Sequence, residues 1–189
     1  MFWACTDSGS LWAQKKPGKG RETPTTPAPG ERDRAESLYV EACTQMIRGD
    51  YNSAAGLFKQ VVAADPSNHA ALYNLCKILT ELRQYDEAIL RGQSAIQGDP
   101  GNPWYYRSLS QAYELKGDFS GAISVLEKLL QKYPLEADDR LNLSELYQRN
   151  RNLPKSLEQL SKIEAQKGPS EEISFRKYRI HRESGDLEA

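Results

Sequence analysis

No run of this sequence approaches the roughly 18 apolar residues that a membrane-spanning helix needs. The mean hydropathy of −0.70 suits a soluble chain with much helix surface. Neither sign of charge prevails, since 25 Lys and Arg stand against 26 Asp and Glu. No global field therefore argues for nucleic acid or an anionic membrane as partner. Histidine occurs twice, as His69 and His181. A His-Glu-x-x-His pair, a phosphate-binding loop and a Gly-x-Ser-x-Gly elbow are all missing. The sequence thus offers no catalytic residue, no metal ligand and no cofactor cradle, and a protein other than an enzyme is expected. Ser174 and Lys177 make a Ser-x-x-Lys, a pattern too permissive to stand without its partner motifs. The three cysteines, Cys5, Cys43 and Cys76, form neither a metal spacing nor an even disulfide framework. Cys76 reads as a compact buried hydrophobe.

The N-terminus is short of what a leader requires. Ala13 before Gln14 looks like the tail of a secretory cleavage site, yet no basic region and no apolar stretch of about 7–15 residues precede it. Export and a cytoplasmic location both stay open. Residues 15–34, KKPGKGRETPTTPAPGERDR, are rich in Pro, Gly, Thr and charge. They lack the apolar surface that would offset the entropy of ordering. Residues 1–34 are therefore expected to form a disordered tail or linker, with or without the remnant of a signal peptide.

What the sequence does have is rhythm. GDYNSAAGLFKQVVAADPSN at 49–68 returns as RQYDEAILRGQSAIQGDPGN at 83–102 and as GDFSGAISVLEKLLQKYPLE at 117–136, thirty-four residues apart each time. Units then begin at Ala35, His69, Pro103 and Ala137, giving repeats over 35–68, 69–102, 103–136 and 137–170. Each holds two segments with apolar residues three and four apart, the spacing of one helix face. Gly49-Asp50 and Gly117-Asp118 end first helices, because glycine enters the left-handed region without strain. Asp65-Pro66, Asp99-Pro100 and Tyr133-Pro134 end second helices. A hairpin of this kind cannot bury its apolar face alone, so its neighbours repeat the pattern to cover it.

These units resemble the tetratricopeptide repeat, whose pattern asks for large, Leu, small and Tyr on the first helix and Ala, Phe and Pro on the second. The third unit supplies Tyr106, Leu109, Ser110, Tyr113, Ala122, Leu126 and Pro134; the fourth departs with Ser156 and a displaced Pro169. The resemblance implies an all-α, right-handed superhelical solenoid of helix–turn–helix hairpins. Residues 171–189 are expected to be a partial fifth repeat that continues past the given sequence, or else a solvating capping helix. Gly92 stands where the pattern wants a bulky residue. The expectation is a notch filled by Tyr105 or Tyr106.

For function the resemblance implies a scaffold that binds a peptide or helix of a partner protein in its concave groove, lined by first-helix residues. The candidate lining is Tyr39, Tyr73, Asn74, Lys77, Trp104, Arg107, Gln111 and Asn142. Asn74, Lys77, Arg107 and Gln111 are expected to bond ligand backbone or acidic groups, so that Asn74→Ala with Arg107→Ala abolishes capture without loss of helicity. The carboxylate clamp with which some relatives hold chaperone C-termini is matched at Asn74 alone, which disfavours that ligand. The rival reading is an assembly module of a longer cell-envelope or secretion-associated protein, its groove filled by its own chain or by a self-association partner.

Overall fold

The computed structural model describes residues 29–185; residues 1–28, and with them most of the expected tail, lie outside that range. The described residues form nine helices and no strand: α1 (Pro29–Ile47), α2 (Tyr51–Ala64), α3 (His69–Glu81), α4 (Tyr85–Gly98), α5 (Pro103–Lys116), α6 (Phe119–Lys132), α7 (Ala137–Arg149), α8 (Leu153–Lys167) and α9 (Glu171–Ser184). Helices pack against their partner in the hairpin and against the next hairpin in order, α1 on α2, α2 on α3, and so to α8 on α9. The expected all-α repeat solenoid is what the chain builds. One boundary differs. Helix α1 begins at Pro29, inside the stretch expected to be linker. Proline is tolerated at a first helical position because its missing N–H would find no partner there anyway.

The period is written most sharply in the turns within hairpins. Positive φ occurs at Gly49, Arg83, Gly117, Arg151 and Gly185, thirty-four residues apart throughout. Around each of the first four the same two bonds close the helix: Gly49 and Asp50 donate to the carbonyls of Met46 and Gln45, and Arg83 and Gln84 to those of Thr80 and Leu79. This pair of bonds requires a left-handed residue whatever the sequence holds there. The residue that follows then caps the next helix. Asp50, Asp118 and Asn152 accept from the backbone N–H three residues on, whereas Gln84 has no such side-chain bond. An L-residue in the left-handed region costs roughly 1–2 kcal/mol, and glycine does not. Arg83 is exposed and forms no ion pair among the described residues. Arg83→Gly is therefore expected to stabilise the protein by about 0.5–1 kcal/mol, after allowance for the looser unfolded glycine chain. A urea midpoint at or below the parent value would refute the strain.

Within each hairpin the two helices meet along small residues. Ala42, Cys76, Ser110 and Ser144 on the first helices face Ala54, Ala88, Ala122 and Ser156 on the second, all buried. The approach is close enough for Ser110 Oγ to donate to the Ala122 carbonyl at 3.3 Å and Ser144 Oγ to that of Ser156 at 3.2 Å. Ser156, a departure from the family alanine, also lies 2.7 Å from the Ser144 hydroxyl. Its own polar group is thereby satisfied, as burial requires. Phe58, Leu75, Leu79, Leu129 and Leu160 fill the space between hairpins and are fully buried.

Gly92 corrects an expectation. A Cβ added there would stand 3.1 Å from Cys76 Sγ and 3.1 Å from Leu109 Cδ1. The notch is filled by Leu109 and Cys76, not by Tyr105 or Tyr106. Those rings are held elsewhere: Tyr105 lies 5.3 Å from Tyr73, and the Tyr106 hydroxyl donates to the Pro100 carbonyl at 3.2 Å.

Candidate functional site

The first helices α1, α3, α5 and α7 carry the candidate lining, and the structure divides it into three groups. At the N-terminal end Asn74 is buried and its Nδ2 donates to the Tyr39 hydroxyl at 3.0 Å. Tyr39 in turn packs edge-on against Phe58 at 5.5 Å. Burial pushes the Tyr39 phenol above its ordinary pKa, while the Asn74 bond pulls it back. Asn74, the one residue matching the chaperone-tail clamp, thus has its amide engaged inside the protein.

The second group is aromatic and cationic. Tyr73 rests against Tyr105, and Lys77 Nζ stands 5.5 Å from the Tyr73 ring centre. Trp104 is 59 % exposed, with the Arg107 guanidinium 4.9 Å from its ring. Stacking of this kind is worth about 0.5–1 kcal/mol at an exposed site.

Arg107 is held from below as well. Its Nε and Nη2 bond the carboxylate of Asp139 at 2.9 and 2.8 Å, and Glu136 lies 3.6 Å away. Asp139 is 1 % exposed and its carboxylate has no other hydrogen-bond partner among the described residues. The Asp139 bond holds the guanidinium more firmly protonated than usual. Arg107 therefore faces the groove as the cover of a buried carboxylate. Sequence reasoning missed Asp139, although it shares its place in the unit with Ala71 and Tyr105, both buried.

The third group surrounds a cleft of about 360 Å³ between α5 and α7, where Arg107, Gln111, Glu114, Asn142 and Glu145 converge. The charges here are paired. Arg149 bonds Glu114 at 2.7 Å, and Arg176 of α9 bonds Glu145 at 2.6 Å. The side chains of Gln111 and Asn142 are exposed and make no hydrogen bond with other described residues. Two further clefts lie on the second-helix side. One of about 470 Å³ is lined by Gln93, Tyr106, Tyr113 and Val125, and one of about 480 Å³ by Glu127, Arg140, Tyr147 and Lys155. Among the described residues no His, Cys, Asp and Glu group could hold a metal ion. No described helix is long and apolar enough to cross a membrane.

Stacked helical hairpins with a groove along the first helices define a repeat solenoid of the kind that binds other proteins. The sequence matches tetratricopeptide repeat families over residues 45–91 and 105–135. Two stretches of the chain thus carry tetratricopeptide repeats, and the stacked hairpins continue their pattern. The chain's fold is shared with the crystal structure of MamA protein, at a TM-score of 0.71 and 20 % identity, covering 82 % of this chain and 85 % of that one. A tetratricopeptide repeat protein from Parabacteroides merdae ATCC 43184 aligns at a TM-score of 0.73 and 21 % identity, over 82 % of this chain and 61 % of its own. YrrB, described as a TPR protein with an unusual peptide-binding site, aligns at a TM-score of 0.66 and 13 % identity, over 84 % and 85 %. At these identities the likeness is one of fold. No curated protein matches the sequence.

Proposed function

We propose that the protein captures an extended segment of a partner protein along its first helices, with the cleft between α5 and α7 as the centre of contact. The observation that carries this reading is the pair of unengaged primary amides, Gln111 and Asn142, on adjacent helices at one cleft. An amide side chain offers both a donor and an acceptor, the complement of a peptide backbone. The charges around them, Arg107, Glu114 and Glu145, already have partners within the protein. A ligand is thus held by its main chain and its shape more than by charge. Trp104, exposed at the N-terminal side of the same stretch, supplies an apolar anchor of the type that dominates binding energy.

The test uses variants that leave the core untouched. Gln111→Ala with Asn142→Ala is expected to weaken capture of peptides selected from a random display library about tenfold or more. Two lost hydrogen bonds at about 0.5–1.5 kcal/mol each account for that size, and the melting temperature should stay within a degree of the parent. Undiminished capture by a folded double variant would remove this cleft from the site.

A further inference from the structure

The first hairpin carries a bare face that the following hairpins have covered. On α3 and α5 the side turned toward the preceding hairpin is marked by Ala71, Asn74 and Ile78, and by Tyr105, Ser108 and Ala112, all buried. Their contacts fix that direction. Asn74 bonds Tyr39 of α1, the Ser108 hydroxyl lies 3.5 Å from Cys76 of α3, and Tyr105 rests on Tyr73 of α3. The matching residues of α1, thirty-four positions earlier, are Ser37, Val40 and Thr44. Here Ser37 is exposed, Val40 is 65 % exposed, and Ile47, seven residues on, is 83 % exposed. Thr44 does not make the stripe polar, because its hydroxyl donates to the Val40 carbonyl at 2.9 Å. A repeat array needs a solvating or covered end. This end is open, and the large side chains it exposes, Val40 and Ile47, are apolar.

The sequence ahead of α1 has the complementary chemistry. Residues 1–12, MFWACTDSGSLW, hold Phe2, Trp3, Leu11 and Trp12, two of the chain's three tryptophans, with Asp7 as the one charged side chain. Each indole buries about 150–250 Å² when it finds a surface. From Trp12 to Pro29 is seventeen residues, and a chain of that length extends to about 55 Å. Val40 lies about 16 Å along α1 from Pro29 at the helical rise. The reach is ample. Tethering also sets an effective concentration in the millimolar range, at which a weak contact is populated.

We propose that residues 1–12 dock on the Ser37–Val40–Thr44 face of α1, with the exposed Ile47 at its edge, in the place that a preceding hairpin takes for α3 and α5. It departs from the expectation that residues 1–34 form a disordered tail or linker. It is independent of what the groove binds.

The test reads the two tail indoles directly. In the full chain carrying Trp104→Phe, excited at the red edge of indole absorption where tyrosine does not absorb, only Trp3 and Trp12 emit. Their emission should lie to the blue of the free peptide 1–14 and move to the peptide's value on adding Val40→Asp. In parallel, Val40→Asp should lower the melting temperature of the full chain by about 3 °C and leave a chain lacking residues 1–14 unchanged. Emission already equal to that of the free peptide overturns the proposal, as does an equal effect of Val40→Asp with and without the segment. A blue shift lost on dilution, together with a dimer in sedimentation, would give the face to a second copy and overturn it as well.

Discussion

Arg107→Ala is expected to destabilise the protein by about 3 kcal/mol in urea unfolding, the largest loss of any groove-facing substitution. The cause is the residue beneath it. Asp139 is fully buried and, among the described residues, its carboxylate is bonded by Arg107 alone, so truncation strands a charge away from water. Breaking such a pair usually costs 3–5 kcal/mol. The low end applies because Asp139 lies in the first turn of α7, whose dipole continues to favour the anion. Replacing both partners, Arg107→Met with Asp139→Leu, should recover most of the loss. A single variant within 1 kcal/mol of the parent would show the pair to be incidental. The Asn74→Ala and Arg107→Ala combination, attractive as a binding test on sequence grounds, thus changes stability as well. Lost capture in it would not isolate the groove.

The other ion pairs along the first helices weigh less. Glu114 with Arg149 and Glu145 with Arg176 step from α5 to α7 to α9, but their side chains are 28–54 % exposed. Exposed pairs contribute about 0–1 kcal/mol and are screened by salt. Their effect on the site is occupancy. They neutralise the charges nearest Gln111 and Asn142, and so leave the amides as the groups with unused hydrogen-bonding capacity.

What was legible in the sequence followed from chemistry that only one residue type performs. Gly49 and Gly117 announce left-handed turns, Pro66, Pro100 and Pro134 fall just past second helices, and Cys76 in the small-residue seam reads correctly as buried. The same turns at Arg83 and Arg151 gave no signal, because two backbone bonds impose the conformation and arginine merely tolerates it. The start of α1 was hidden by composition. Pro29 and Gly30 look like linker, yet they open the helix that the charged run after them continues. At the site, the residue types of the lining could be chosen from their place in the repeat. Their engagement could not, since the partners of Asn74 and Arg107 sit thirty-five residues before and thirty-two after them. Contacts between hairpins depend on which residue shares each place in the neighbouring unit, and that becomes visible only once the units are stacked.

Gly92→Leu is expected to cost about 2–3 kcal/mol, from overpacking rather than from any loss of helix. Even a Cβ at this position is squeezed, with Cys76 Sγ and Leu109 Cδ1 both at 3.1 Å. Both neighbours are buried core groups, and neither is a free end that can swing into solvent. Gly92→Ala should be nearly neutral, since about 1 kcal/mol of helix propensity is gained over glycine while the core gives by a few tenths of an ångström. The identity of the occupant is tested by a double-mutant cycle. Leu109→Ala alone opens a cavity and costs roughly 2–5 kcal/mol. Combined with Gly92→Leu it should lose less than the sum of the two by at least about 1 kcal/mol, because the introduced leucine takes the vacated volume. Tyr106→Ala with Gly92→Leu should instead be closer to additive, as the atoms nearest the glycine belong to Leu109 and Cys76. Additivity with Leu109 and coupling with Tyr106 would return the notch to the aromatic ring.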